Sequence, residues 1–158
     1  MRSPPYAIGG AATPGELEAV RVLFREYAGW LGVDLCFQGF DEELATLPGK
    51  YAPPDGRLLL ASDGVAAVGC IGLRRIDATT GEVKRLYVRP GARGHGLGGE
   101  LARRVIAAAR EIGYRRLVLD TLEPMAEARR LYGSLGFREI PGYYANPLPG
   151  VIYMELRL

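Results

Sequence analysis

The stretch VRPGARGHGLGGELARRVI constrains this chain more than any other. Gly94, Gly96, Gly98 and Gly99 fall within six residues. They separate a run that reads as a strand, EVKRLYV, from one that reads as an amphipathic helix over residues 97–112. Glycine tolerates positive φ and leaves the backbone N–H unshielded. A glycine loop entering a helix therefore gathers unpaired donors, backed by about half a positive charge, at one point that suits a phosphate. Arg93 adds a cation whose planar guanidinium matches phosphate oxygens. Any fold for the chain has to place strand, loop and helix in direct succession.

The same residues satisfy G-x-G-x-x-G through Gly94, Gly96 and Gly99. Asp120 ends a strand-like RRLVLDT about twenty residues further on, as the dinucleotide fingerprint requires. Context opposes that reading. In a doubly wound fold the first strand runs straight into the glycines, whereas residues 89–93, with Pro90, intervene here. Only 38 residues follow Asp120, too few to complete such a domain. A nicotinamide-dependent oxidoreductase is a distant alternative.

The 158 residues are expected to form a single domain, 1–158. A net charge of +2 with both signs interspersed gives no clustered basic face, so nucleic acid is not expected as a partner. The longest nearly apolar run, VAAVGCIGL, is too short to span a bilayer, and the first residues lack the apolar core of a secretory signal. The expectation is a cytoplasmic protein. Cys36 and Cys70 read as buried free thiols, and one histidine with two distant cysteines makes a metal site improbable.

Hydrophobic periodicity orders the chain. After a weak strand, YAIGGA, Thr13 caps a helix with Pro14 at its first position and Glu16 close behind. Leu17, Val20, Phe24, Tyr27 and Leu31 recur at spacings of three and four, making one apolar face. DEELATL is a short second helix. RLLLAS, VAAVGCIGLRRI and EVKRLYV read as an antiparallel meander with turns at Asp63-Gly64 and near Thr80-Gly81. Gly113 stops the helix over 97–112. The strand RRLVLDT, the helix PMAEARRLYGSLG and the strands FREI and VIYMELRL complete the order β-α-α-β-β-β-α-β-α-β-β.

LYVRPGARGHGLGGELARRVI resembles the acetyl-CoA-binding motif of the GCN5-related N-acetyltransferases, with Arg93, Gly96 and Gly98 at its three marked positions. AEARRLYGSLGF resembles the later motif of that family through Ala128, Leu131, Tyr132, Gly136 and Phe137, and the resemblance covers essentially the whole chain. It implies a mixed α/β (α+β) fold: a mostly antiparallel sheet of about seven strands, flanked by four helices, whose fourth and fifth strands splay apart. It implies acetyl-CoA as cosubstrate, with Leu86, Tyr87 and Val88 bonding the pantetheine arm through their main chain. The loop Arg93, Gly94, His95, Gly96, Leu97, Gly98 and Gly99 would hold the pyrophosphate, and Ala128 and Tyr132 would face the same groove. His95 is read as phosphate-contacting or neutral. Leu131 and Leu135 are assigned to the core. Met125 stands where the family often has an asparagine, and methionine cannot donate the hydrogen bond that asparagine makes.

The implied chemistry is acetyl transfer to an amine by direct attack on the thioester, the acceptor being a small molecule or a peptide. The Val88 N–H is the expected oxyanion donor, and Tyr132 the acid for the departing thiolate. Glu82 matches the glutamate base of the family's histone acetyltransferases. Its alternative is an exposed strand-end charge. Strict alternation puts Glu82, Lys84, Leu86 and Val88 on one face, although strands in this position are often bulged. Tyr143, Tyr144 and Asn146, with Trp30, Phe37 and Tyr51 as neighbours, suggest an aromatic acceptor pocket; loop packing explains the same rings. Asp41, Glu42 and Glu43 suit a cationic amine or simply an acidic first helical turn. A non-catalytic coenzyme A-binding module on the same fold remains the principal alternative. A homodimer is common among such proteins, and nothing in the composition decides it.

Overall fold

The helix signals are realised at the level of single hydrogen bonds. Thr13 Oγ1 accepts from the Glu16 N–H at 3.2 Å, and the Glu16 carboxylate accepts from the Thr13 N–H at 3.0 Å. This capping box, typically worth about 1 kcal/mol, starts α1 (Pro14–Leu31), which Gly32 ends in the left-handed conformation. Val20, Leu23 and Phe24 are fully buried beneath α1, each contributing about 1.5–3 kcal/mol by removal from water. The computed structural model describes residues 6–32, 34–35 and 38–158. Cys36 and Phe37 lie outside the described residues; Cys70 is a buried free thiol.

The remaining elements are β1 (Ala7–Gly10), α2 (Phe40–Thr46), β2 (Arg57–Ser62), β3 (Ala67–Arg75), β4 (Thr80–Val88), α3 (Leu97–Ile112), β5 (Arg116–Leu122), α4 (Ala126–Ser134), β6 (Arg138–Ile140) and β7 (Val151–Arg157). The strands form one sheet in the order β1-β2-β3-β4-β5-β7-β6, antiparallel except for β4 and β5. On one face α1 and α2 pack with Tyr51, Leu58, Cys70 and Tyr87. The other face carries α3, through Leu101, Val105 and Ala109, together with Tyr132 and Phe137.

One turn lies elsewhere than the glycine suggests. The β3–β4 turn spans residues 76–79, closed by the Ile76 N–H to Thr80 O bond of 2.9 Å. Thr80 and Gly81 are already buried strand. Gly81 is small for packing: a Cβ there would sit 2.9–3.0 Å from Leu73, Leu117 and Tyr114.

Two irregularities in β4 make the site. β4 and β5 pair from Thr80–Glu82 to Arg116–Val118, and no further. Beyond Glu82 the strands part. In the β3–β4 register Cys70 faces Tyr87 but Gly72 faces Lys84, so Ile71 opposes both Arg85 and Leu86. This is a β-bulge, with Arg85 at φ 61°. It overturns strict alternation: Val83 joins the α3-side core, and past the bulge Leu86 and Val88 join it too, while Tyr87 turns to the α1 side. Glu82 and Lys84 therefore do not share a face with Leu86 and Val88.

Candidate active site

Where β4 leaves β5, a cleft of about 560 Å³ opens. Leu86, Tyr87 and Val88 form one wall, the glycine loop and the start of α3 the floor, and Pro124–Ala128 with Leu131 the far wall. The Arg89 N–H donates to Val68 O at 2.8 Å. Amides alternate in direction along a strand, so those of Val88 and Leu86 point away from β3 into the cleft. At the floor, Gly94 and Gly96 hold φ of 84° and 77°, and no side chain caps α3. The N–H groups of Leu97, Gly98 and Gly99 are the unpaired donors of its first turn. A Cβ at Gly94 or Gly96 would meet nothing within 4 Å. Backbone conformation alone requires glycine there.

Arg93 donates Nε to Val88 O at 2.8 Å, and its guanidinium stacks 4.9 Å from the Trp30 ring and 5.9 Å from that of Tyr87. Its terminal nitrogens have no partner among the described residues. Trp30 lines this cleft and also a smaller inner cavity beside Lys84 and Tyr132. His95 is absent from the cleft lining; its ring lies 6.3 Å from that of Tyr6.

Neighbouring residues of α4 face different spaces. Leu131, assigned to the core, lines the cleft and lies 3.5–3.7 Å from where Cβ atoms at Gly99 and Gly98 would be. Tyr132 is buried, its ring 5.5 Å from that of Phe137. It faces a smaller cavity of about 90 Å³ between the parted strands, shared with Lys84, Leu86, Asp120, Met125 and Ala128. Burial raises its pKa above that of an ordinary phenol, so the hydroxyl keeps its proton. That hydroxyl has no hydrogen-bond partner among the described residues. Ala128 and Met125 line both spaces.

On the α2 side of the sheet lies a third space of about 400 Å³, lined by Gln38, Lys50, Arg74, Arg75, Glu82, Lys84, Tyr143 and Tyr144. Glu82 is 1% exposed and both its oxygens are engaged. Arg74 Nε donates to Oε1 at 2.7 Å and the Tyr143 hydroxyl to Oε2 at 2.5 Å. Burial, then the Glu82 charge, drives the Tyr143 pKa upward, so its proton stays on the phenol. Tyr144 donates to Asp120 and accepts from Asn146 Nδ2 at 2.8 Å and Gln38 Nε2 at 3.3 Å. The donor and both lone pairs of that hydroxyl are thereby used. Gln38 Oε1 accepts from Lys84 Nζ at 3.0 Å. The expected trio of Tyr143, Tyr144 and Asn146 does come together, bonded to carboxylates on β4 and β5.

Tyr51 does not join them. It is 2% exposed, its ring stands against Gly72, and its hydroxyl donates to Glu43 Oε2 at 3.1 Å. Glu43 in turn holds Arg85 Nε at 3.0 Å, so it is unavailable to an amine. Gln38, Arg74, Lys84 and Asp120 escaped attention as site residues. Nothing in local spacing marks them, because the bulge and the parting of two strands distant in sequence bring them together.

Residues 19–137 match the acetyltransferase (GNAT) family. The chain belongs to that family. A GNAT chain is an acyltransferase, and the relatives agree. An uncharacterized N-acetyltransferase of Schizosaccharomyces pombe is 40% identical over 100% of this chain and 98% of its own length. The fold matches an acetyltransferase of Streptococcus agalactiae with a TM-score of 0.81 at 24% identity, over 98% and 99% of the two chains. It also matches an acetyltransferase of Salmonella typhimurium determined with acetyl-CoA, with a TM-score of 0.71 at 22% identity over 96% and 93%. The GNAT fold has no place for the doubly wound dinucleotide domain, and the oxidoreductase alternative falls.

Proposed function

We propose that this protein transfers an acetyl group from acetyl-CoA to an amine held beside Tyr143. Acetyl-CoA is the cosubstrate. The observation that carries the reading is the junction of a free strand edge, Leu86–Val88, with the uncapped start of α3 and the open terminal nitrogens of Arg93. Leu86 and Val88 supply main-chain bonds to an extended arm, as sheet edges do. The amides of Leu97, Gly98 and Gly99, with Arg93, hold a pyrophosphate. Bound there, acetyl-CoA supplies a thioester carbonyl; a C–N bond forms to the amine as the C–S bond breaks, giving an acetamide, a thiol and one proton.

This chain's residues manage the protons and the charge. An ammonium must lose a proton before its nitrogen can attack. Glu82 is the base and acts through Tyr143: the phenol passes its proton to Glu82 Oε2 as its oxygen takes one from the acceptor nitrogen. Burial and the Glu82 charge raise the Tyr143 pKa, which favours the two transfers occurring together over a free phenolate. The Val88 N–H stabilises the carbonyl oxygen as it gains charge. Tyr132, holding its proton in the inner cavity, gives it to the leaving sulfur, and solvent restores it after release.

Glu82→Gln, Tyr143→Phe and Tyr132→Phe are each expected to lower kcat by about 10²–10⁴, with the acetyl-CoA dissociation constant nearly unchanged. Members of one relay are not additive, so the Glu82→Gln, Tyr143→Phe double variant should be little slower than either single one. Thiol release with a panel of amines, beside acetyl-CoA binding, measures both. Wild-type turnover in all three variants would overturn the assigned roles. Coenzyme binding with no turnover of any amine would leave the non-catalytic module.

A further inference from the structure

The acceptor pocket carries more positive charge than its partners cancel. Lys50, Arg74, Arg75 and Lys84 line it, against Glu82 as its single lining carboxylate. Arg74 is matched by Glu82 at 2.7 Å. Arg75 reaches Asp55 at 3.6 Å, both half exposed, a contact of little worth in water. Lys84 is different. It is 5% exposed, yet among the described residues its Nζ donates only to the neutral Gln38 amide, at 3.0 Å. An ammonium has three protons to give, and a buried charge is costly unless paired. The nearby carboxylates are already committed, Glu82 to Arg74 and Tyr143, and Asp120 to Tyr144 and Asn146. Burial accordingly presses the Lys84 pKa below that of ordinary lysine, with Glu82 and Asp120 only opposing it in part.

Lys84 also lines the inner cavity with Tyr132, so it stands at both the acceptor pocket and the cavity from which Tyr132 serves the leaving sulfur. We propose that the acceptor is an amino acid, a small molecule whose carboxylate lies one or two carbons from its amine and pairs with Lys84. This rests on the acetyl-transfer reading. The short separation follows from Lys84 bordering both spaces: an anion bound there leaves the amine beside the thioester. A polyamine would bring further positive charge to a cationic pocket, and an uncharged amine would leave Lys84 buried without a counter-ion. The like charge of Lys84 also disfavours the ammonium form of the acceptor, which increases the nucleophilic fraction.

The test is acetyl-CoA-dependent thiol release with α- and β-amino acids, their carboxamides, matched amines lacking the acid, and diamines. The unfolding midpoint is recorded in parallel with coenzyme A plus each compound. For the wild type, kcat/KM should favour the acids over their amides by about tenfold or more, and the acids should add stabilisation that the amides do not. Lys84→Met should raise KM for the acids by about tenfold and abolish the discrimination, leaving stabilisation by acetyl-CoA intact. Lys84→Arg, which keeps the charge, should retain part of it. Amides or diamines used as well as the acids, or a Lys84→Met variant that slows every acceptor equally, would overturn the amino-acid assignment alone. No turnover of any amine would overturn the acetyl-transfer reading with it. Should Lys84→Met fail to fold, the wild-type panel and Lys84→Arg still decide.

Discussion

At the scale of single residues, the site is built from groups whose protonation is fixed by burial. Lys84 is held in the interior with only a neutral amide as partner among the described residues, at a cost to the fold. Replacing a poorly paired buried charge by an apolar side chain of similar shape is often neutral or stabilising by about 1–4 kcal/mol. Lys84→Met should therefore match or exceed the wild type in denaturant midpoint, even as it loses its acceptor preference. The buried and half-buried phenols give a pH prediction of definite sign. Burial raises Tyr27 from 10.0 to about 12, and burial also raises Tyr51, Tyr132, Tyr143 and Tyr144. A group whose pKa is higher folded than unfolded contributes stability that is complete below the unfolded value and is lost on the way up to the folded one. Stability should hold up to about pH 10 and then fall as pH rises through 12. Denaturant titrations across that interval check it, and Tyr27→Phe should reduce the slope. Tyr132 also shows how far spacing carries: its place on α4 was legible, but helical spacing alone did not say that Leu131 faces the cleft and Tyr132 the interior.

At the scale of elements, β4 concentrates the function. Its bulge needs Arg85 in the left-handed region at φ 61°, which costs an ordinary residue about 1–2 kcal/mol. Against that stands the ion pair with Glu43, at 3.0 Å and 3.1 Å, from a side chain 3% exposed. Breaking such a buried pair costs about 3–5 kcal/mol, so the pair prevails. Arg85→Gly should be destabilised despite relieving the backbone, by about 2 kcal/mol or more in urea unfolding. The α3 junction responds differently. Gly96→Ala places a Cβ in open space but strains φ of 77°. A loss of about 1 kcal/mol in stability should accompany a much larger loss of acetyl-CoA affinity, read by calorimetry, because the loop amides turn away from the phosphates. The capping box of α1, the glycine stop of α3 and the order of all eleven strands and helices were legible because each depends on neighbours a few residues apart. The β3–β4 turn was not. Gly81 reads as a turn glycine, and only three side chains crowding it, from β3, from β5 and from Tyr114 two residues beyond α3, explain why it is glycine.

At the scale of the whole molecule, the cleft past α3 and α4 and the proposed acceptor pocket beside the loop before β7 are linked by the inner cavity between β4 and β5, which shares Leu86, Met125 and Ala128 with the one and Lys84 with the other. A ligand held by both halves of the sheet should stabilise the fold as a unit. Acetyl-CoA at about a hundred times its dissociation constant adds about 2.7 kcal/mol, which for a chain of this size raises Tm by about 5–10 °C. NAD and NADP should raise it by nothing comparable, and differential scanning with the three ligands separates these outcomes. The family, through its resemblance, and the element order could be read from the chain, because periodicity, caps and glycine motifs are written in residues close together. The proposed acceptor pocket could be read only in part. Tyr143, Tyr144 and Asn146 stand close together in the chain, but Gln38, Arg74, Lys84 and Asp120 lie far from them and from one another. They meet because one bulge shifts the register of β4 and one parallel pair ends after three residues. Those features reflect packing energies summed over the whole sheet, and no local run of residues encodes them.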